Sequence, residues 1–375
     1  LVGVKEGSVR ISSLGVGSWN RKKNKIKKHA RSIAKDLLKT YALRQGSRGF
    51  VYEKGGDFYR AVCDSFPFQE TTGQISALND VSSDMEKDLP MDRMICGDVG
   101  YGKTEIALRA AIRVVECGRV VFVMAPTTVL AGQHYISFVR RLSPLGVRVE
   151  LLSRFRTRSE QKKILETLAC GGVDVLVGTH RLISGDVYTE NLGLFVVDEE
   201  HRFGVKHKEK IKSMRPSVDV LTLTATPIPR TLKQSLVGLK NISTINTPPK
   251  SRRPIKTFLN YFDWKKVFSI IKSETNRGGQ VYFVNNNIQS LPFLAQKIIK
   301  TFPNLEVRVA HGKTRSKALE SVMLGFFKNE TAVLCCTTIV GSGLDVPNAN
   351  SIIINNAHRL GLSQLYQLRG RVGRG

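Results

Sequence analysis

The sequence has no apolar run longer than Val120 to Ala125, far below the roughly 20 residues that a membrane-spanning helix needs. Its amino-terminal Leu1-Val2-Gly3-Val4 lacks the apolar core of a secretory signal, so the chain reads as soluble and intracellular, with no membrane partner. The six cysteines (63, 96, 117, 170, 335 and 336) include no Cys-x-x-Cys pair. A long chain of this type has no need of disulfide staples, and neither a metal cluster nor a redox role is assigned. Low-complexity tracts are absent too. Acidic residues are scarce, 31 Asp and Glu against 58 Lys and Arg, for a formal net charge of +27. That much positive field most simply implies a polyanionic partner, with nucleic acid the default. At 375 residues and 41% hydrophobic content, the chain exceeds what one core usually serves, and two or three domains are expected.

What is present begins with Gly97-Asp98-Val99-Gly100-Tyr101-Gly102-Lys103-Thr104, which fits the phosphate-loop pattern G-x-x-x-x-G-K-[ST] at every fixed position. The context fits as well. Met94-Ile95-Cys96 reads as a buried strand, and Ile106, Ala107, Ala110, Ala111, Val114 and Val115 recur at helical spacing. Glycines at 97, 100 and 102 let backbone N–H groups close round phosphates at the positive end of a helix. Lys103 then neutralises the β and γ phosphates, and the Thr104 hydroxyl can ligate Mg²⁺. The expected ligands are therefore ATP and Mg²⁺, with Asp98 part of the cradle.

Residues 1 to 62 hold 15 Lys and Arg against 4 Asp and Glu, densest from Arg21 to Lys28. From Trp19 to about Tyr41 the stripe Ile26, Ile33, Leu37, Leu38 and Tyr41 predicts a basic amphipathic helix, which reads equally as a solvated face or arm. Beyond a boundary near residue 62, strands and helices alternate, which predicts a parallel sheet with helices on both faces. Strands are expected up to Cys96 and at Val120 to Met124, Val147 to Leu152, Val173 to Val177, Leu194 to Val197 and Val220 to Leu223. Thr157-Arg158-Ser159-Glu160 has capping-box spacing for a helix running to Ala169, ended by Gly171-Gly172. Pro248 to Pro254 is the clearest linker. A second alternating unit follows, with strands expected at Ile255 to Leu259, Gln280 to Val284, Val307 to Ala310, Val333 to Cys336 and Ser351 to Ile354.

Leu194-Phe195-Val196-Val197 runs into Asp198-Glu199-Glu200-His201, a buried strand delivering carboxylates at the edge where open parallel sheets bind ligands. Asp198 is placed to hold Mg²⁺ through its water shell, and Glu199 to deprotonate the water that attacks the γ-phosphate. By itself the tetrad also reads as an acidic strand end.

With these blocks the chain resembles the superfamily 2 helicases and translocases and, within them, the bacterial-type transcription-repair coupling factors. The resemblance runs through Gly97 to Glu105, Ala125 to Ala131, Leu152 to Phe155, Gly178 to Arg181, Asp198 to Lys210 and Leu221 to Thr231, and covers about residues 10 to 375. It implies an α/β fold of two RecA-like parallel-sheet lobes in tandem, preceded by a basic helical segment. Residues 1–62 would be the end of an RNA-polymerase-binding region with its linker helix, 63–250 the first ATP-binding lobe and 251–375 a truncated second lobe. Gln74 would contact adenine; Thr127, Arg154 and Thr179 would line the DNA path; Thr224-Ala225-Thr226 would couple hydrolysis to lobe movement. Gly343 and Asp345 would meet nucleotide and DNA, with Gln367 beginning an arginine-finger block in which Arg371 and Arg374 stabilise charge on the transferred phosphoryl.

The implied function is an ATP-driven double-stranded DNA translocase that displaces stalled RNA polymerase and connects it to an excision-repair damage-recognition protein. The bacterial nucleoid is the expected compartment, with the plastid stroma as alternative. Two other functions remain open: a helicase for branched DNA, and a nucleic-acid-binding protein with a decayed motor. Departures from the family pattern bear on that last choice. Gly73 stands where the family has Asp, Gly341 where it has Glu, Asn285 and Asn287 where it has His and Arg, and Asn355 to His358 replaces a more acidic stretch.

Overall fold

The computed structural model describes residues 42–154, 156–199, 216–225, 241–249, 255–338, 346 and 348–373. The expected basic helix, and the calls on Gly341, Gly343, Asp345 and Arg374, lie outside the described residues.

Seven strands form the first sheet: β1 (Asp92–Gly97), β2 (Val120–Met124), β3 (Val149–Leu152), β4 (Val175–Gly178), β5 (Leu192–Asp198), β6 (Asp219–Thr224) and β7 (Asn241–Ile245). They pair in parallel in the order β3-β4-β2-β5-β6-β1-β7. Parallel neighbours cannot be joined by tight turns, so crossovers carry helices: α1 (Asp57–Asp64), α2 (Thr72–Met85), α3 (Lys103–Glu116), α4 (Thr128–Leu142) and α5 (Arg158–Ala169) accompany this sheet. Strands β2, β4, β5 and β6 are buried at every position, and accordingly β2, β4 and β5 read as largely apolar runs rather than as alternating ones.

The pleat sends alternate residues to opposite faces. Val121, Val123, Leu194 and Val196 pack with Ile106, Ala110 and Val114 of α3, in a cluster that also takes in Tyr52 and Val62. Phe122, Met124, Phe195 and Val197 pack with Ile164 and Leu168 of α5 on the other face. The expected caps of α5 form: Thr157 Oγ1 accepts the Glu160 N–H at 3.3 Å, Glu160 Oε2 accepts the Thr157 N–H at 2.6 Å, and Gly171 ends the helix at φ +72°.

Because α3 is buried nearly all round, its two inner arginines need partners, since an isolated buried charge is prohibitive. Arg109 donates to Glu105 at 2.9 Å and Glu70 at 2.6 Å, and Arg113 donates to Glu86 at 3.1 Å. At the amino ends of β1 and β6, Arg44 donates to the Met91 carbonyl at 3.0 Å, while Asp219 accepts the Met91 N–H at 2.7 Å. Burial pushes the Asp219 carboxyl up to about 7, against the pull of that N–H and of Arg44.

The second sheet holds β8 (Gln280–Asn285), β9 (Val307–Ala310), β10 (Val333–Cys336) and β11 (Ala349–Asn355), parallel in the order β11-β8-β10-β9, with α6 (Trp264–Asn276), α7 (Leu291–Thr301), α8 (Ser316–Phe327) and α9 (Leu362–Arg369). The expected strand at Ile255 to Leu259 is not formed. That segment pairs with no described strand, and Phe258 and Leu259 are 80% and 94% exposed. Apolar and β-branched residues favour a strand only where a neighbour supplies the ladder. Conversely, β7 was not expected, because its sequence Asn-Ile-Ser-Thr-Ile is half polar, as suits an edge strand. No described helix is long and apolar enough to cross a membrane.

Candidate nucleotide and nucleic-acid site

Strand β1 ends at Gly97 and α3 begins at Lys103, and the five positions between them complete the expected order of strand, glycine turn and helix. Gly100 (φ +81°) and Gly102 (φ +79°) sit in the left-handed region, which glycine enters without penalty. Gly102 has a second reason: a Cβ there would lie 2.2 Å from Gln74 Nε2. Lys103 Nζ crosses the loop and donates to the carbonyls of Gly97 at 2.8 Å and Asp98 at 2.9 Å. The Asp98 carboxylate accepts the Val99 N–H at 2.7 Å, closing the turn. Thr104 follows in the first turn of α3, where unpaired N–H groups and the helix dipole favour anions.

Gln74 is 95% buried and ties α2 to the tip of this loop. It forms a capping box with Thr71, its Oε1 accepting the Thr71 N–H at 2.8 Å, and its Nε2 donates to the Tyr101 carbonyl at 2.9 Å. Gly73, where the family pattern has Asp, donates its N–H to Thr247 Oγ1 at 3.1 Å, and Thr247 donates in turn to Thr71 Oγ1 at 2.9 Å. A Cβ at position 73 would meet Thr247 Oγ1 at 2.7 Å. Glycine here is therefore matched to a threonine from the segment after β7. Gly73→Asp is expected to destabilise the chain by about 1–3 kcal/mol, the usual cost of overpacking, and adding Thr247→Gly to recover much of it. Denaturant unfolding of the two single variants and the double variant measures this; equal stability of Gly73→Asp and wild type would refute the steric account.

Strand β5 delivers the carboxylates. Asp198 Oδ1 accepts the Glu199 N–H at 2.8 Å, and Asp198 Oδ2 lies 2.7 Å from His134 Nε2. Burial alone would raise the Asp198 carboxyl, yet the His134 hydrogen bond, the nearby Lys103 ammonium and the Glu199 N–H together hold it below the ordinary carboxylate range. An ionised, buried carboxylate beside the phosphate loop is the hard oxygen donor that Mg²⁺ takes, directly or through water, so the residues fit that ion. Glu199 is 95% buried and has φ +53°, a left-handed conformation uncommon outside glycine and costing of order 1 kcal/mol or more.

From the second lobe, the end of α9 meets the phosphate loop: a Cβ at Gly370 would lie 3.0 Å from Val99 Cβ. The next residue, Arg371, is 99% buried, and Gln367 is 91% buried one turn earlier. On the first sheet, Thr127, Arg154 and Thr179 follow the carboxyl ends of β2, β3 and β4, three adjacent strands. Thr127 caps α4 by accepting the Leu130 N–H at 3.3 Å. Arg154 is exposed, whereas Thr179 is 98% buried and its hydroxyl has no partner among the described residues. One sheet edge thus carries the residues expected to hold nucleotide, at the ends of β1 and β5, and the residues expected to line DNA, after β2, β3 and β4.

The model of the DEAD/DEAH box helicases matches residues 71–235, and that of the helicase conserved C-terminal domain matches residues 264–375. The chain belongs to the superfamily 2 helicases. It is 46% identical over 373 residues to the transcription-repair-coupling factor of Bacillus subtilis, a match covering 100% of this chain and 32% of that protein. With the Escherichia coli transcription-repair-coupling factor it shares 47% identity over 369 residues, 98% of this chain and 32% of that protein. The chain therefore spans about a third of the length of these curated relatives. It is also similar to the solved structure of RecG bound to a three-way DNA junction, with a TM-score of 0.74, 34% identity, and coverage of 92% of this chain and 47% of that one. For a superfamily 2 helicase, two parallel-sheet lobes are the expected arrangement, and the structure has them, with Gly370 at the end of α9 against Val99 of the loop.

Four participants escaped the sequence reading: His134, Thr247, Val99 and the Tyr101 carbonyl. Of these only His134 left a signal, lying seven positions after Thr127 on the inward stripe of a helix that also buries Leu130, Ala131 and Phe138.

Proposed function

We propose that the chain is the motor core of an ATP-driven double-stranded DNA translocase of the transcription-repair coupling type, which displaces stalled RNA polymerase and links that event to excision repair. The observation that carries the reading is the convergence of Lys103, Thr104, Asp198 and Glu199 on one sheet edge, with the segment holding Arg371 against the same loop. The identity of 46–47% to transcription-repair-coupling factors supports the choice of class. The branched-DNA helicase reading draws on RecG, at 34% identity, and is the less supported of the two. A cytoplasmic site of action fits the bacterial relatives.

Mg²⁺ bound with ATP would neutralise phosphate charge and hold the phosphates in line. Lys103 would exchange its two loop carbonyls for β- and γ-phosphate oxygens, and Thr104 and Asp198 would hold the ion. Gln74 retains a second hydrogen-bonding valence on each amide atom for an adenine edge. Glu199 would accept a proton from water as the water oxygen bonds to the γ-phosphorus. The bond from that phosphorus to the β–γ bridging oxygen breaks, ADP leaves, and Arg371 opposes the charge that develops. Alternation between lobes closed on the nucleotide and lobes open after release would move the DNA.

Two measurements test this reading. Duplex DNA should stimulate ATP hydrolysis, and a stalled transcription complex should lose its polymerase in an ATP-dependent way; hydrolysis indifferent to DNA would remove the translocase. DNA affinity should also fall by orders of magnitude between about 50 and 200 mM salt, because a motor that moves over any sequence binds mainly phosphates. An isotherm nearly unchanged over that range would refute phosphate-dominated binding.

A further inference from the structure

His134 is 95% buried on α4 and lies far in sequence from the carboxylates, yet its Nε2 is 2.7 Å from Asp198 Oδ2. The other carboxylate oxygen is taken by the Glu199 N–H at 2.8 Å. These two bonds act at right ends of one group: the backbone bond fixes Oδ1 to the strand's own turn, and the imidazole fixes the rotation of the carboxylate plane by gripping Oδ2. A carboxylate oxygen accepts, so in this 2.7 Å contact Nε2–H donates to Oδ2. Each oxygen keeps a further lone pair directed away from its protein donor. Without the imidazole, Oδ2 would lose its partner inside a site too buried for bulk water to replace it freely. The carboxylate would then turn toward other donors, with Lys103, the nearby cation, the first among them.

We infer that His134 is a positioning residue, which holds Asp198 in the orientation from which it takes the Mg²⁺ of the bound nucleotide. Partners of metal-holding carboxylates orient their ligands, and their loss typically costs about 10–100-fold in metal affinity. The tether has a structural setting as well. His134 sits two turns into the helix that Thr127 caps, so Asp198 is fixed to the element whose first residue follows β2 at the sheet edge expected to line DNA.

The inference rests on the reading of Asp198 as an Mg²⁺-holding residue, and the test separates the two. A fluorescent ADP analogue is titrated against the chain in excess Mg²⁺ and again in EDTA, and the ratio of the two affinities gives the contribution of the ion. Wild type sets the ratio. His134→Leu preserves bulk and removes the donor, and is expected to reduce the ratio by about tenfold or more while leaving the affinity in EDTA near wild type. His134→Gln returns an amide Nε2 donor at similar reach and is expected to restore most of the ratio, which a purely space-filling role for His134 would not produce. Asp198→Asn is expected to lose the ratio altogether.

If Asp198→Asn kept the ratio, the metal-holding reading of Asp198 would be wrong and the inference would go with it. If Asp198→Asn lost the ratio while His134→Leu kept it, Asp198 would stand and His134 would have no positioning role. Equal losses in His134→Leu and His134→Gln would likewise overturn the hydrogen-bond account. Should His134→Leu fail to fold, as read by lost binding in EDTA, His134→Phe takes its place as the donor-free variant, with the same expected loss of ratio.

Discussion

Replacing Lys103 by alanine is expected to abolish detectable ATP hydrolysis and to weaken nucleotide binding more than any other single change in the loop. The ammonium is the side-chain cation that the loop from Gly97 to Thr104 supplies, and it already spans the loop from the Gly97 to the Asp98 carbonyl at 2.8 and 2.9 Å. Loss of a single preorganised donor at a developing oxyanion typically costs about a hundred- to a thousandfold in rate, and a full charge facing the β and γ phosphates is worth more. Alanine also removes the brace across the loop, so binding and turnover fall together. Phosphate release and fluorescent-nucleotide titration measure the two. Turnover within tenfold of wild type would mean that the loop is not the hydrolytic cradle.

Glu199→Gln is expected to separate what Lys103→Ala loses together. Glutamine keeps the size and the hydrogen-bonding shape of the side chain but cannot accept the proton of an attacking water. The loss of a general base costs about a hundred- to ten-thousandfold, so turnover should fall by that order while nucleotide affinity stays near wild type. The backbone is compatible with this separation, because Glu199 holds a left-handed conformation (φ +53°) whose steric cost is the same for glutamate and glutamine. Near-normal turnover in Glu199→Gln would move the base elsewhere, and a parallel loss of affinity would show that the carboxylate serves binding. Measured side by side, the two variants distinguish an intact hydrolytic centre from a decayed one, since a decayed motor would show little turnover to lose.

The departures from the family pattern divide along the same line. Gly73 is explained by its neighbour, because Thr247 Oγ1 accepts its N–H and occupies the space that a side chain would need. Asn285 is built into a local network, donating to Ser290 Oγ at 2.7 Å and to the Asn287 carbonyl at 3.2 Å. Both substitutions are satisfied polar positions rather than holes. Among the described residues, neither bonds to Lys103, Asp198 or Glu199: Gly73 bonds Thr247, and Asn285 bonds Asn287 and Ser290.

By itself the sequence determined what depends on neighbours along the chain. The buried strands β1, β2, β4, β5 and β6 and the capping box at Thr157 were legible because hydropathy and hydrogen-bonding side chains act over a few residues. So was the phosphate loop, where Gly100 and Gly102 meet a local backbone demand. The acidic pair after β5 was legible as chemistry because a strand end aims it at the sheet edge. Only the tertiary structure decided which distant residues share that edge. A parallel sheet joined by crossovers permits many strand orders from one pattern of elements, so nothing local indicates that His134 meets Asp198, that Thr247 fills the space beside Gly73, or that Val99 receives Gly370. The same reason explains the segment from Ile255 to Leu259, whose residues favour a strand and whose state is decided by whether another strand lies beside it: side-chain preference is carried by the residue, but a ladder of hydrogen bonds exists only between two strands.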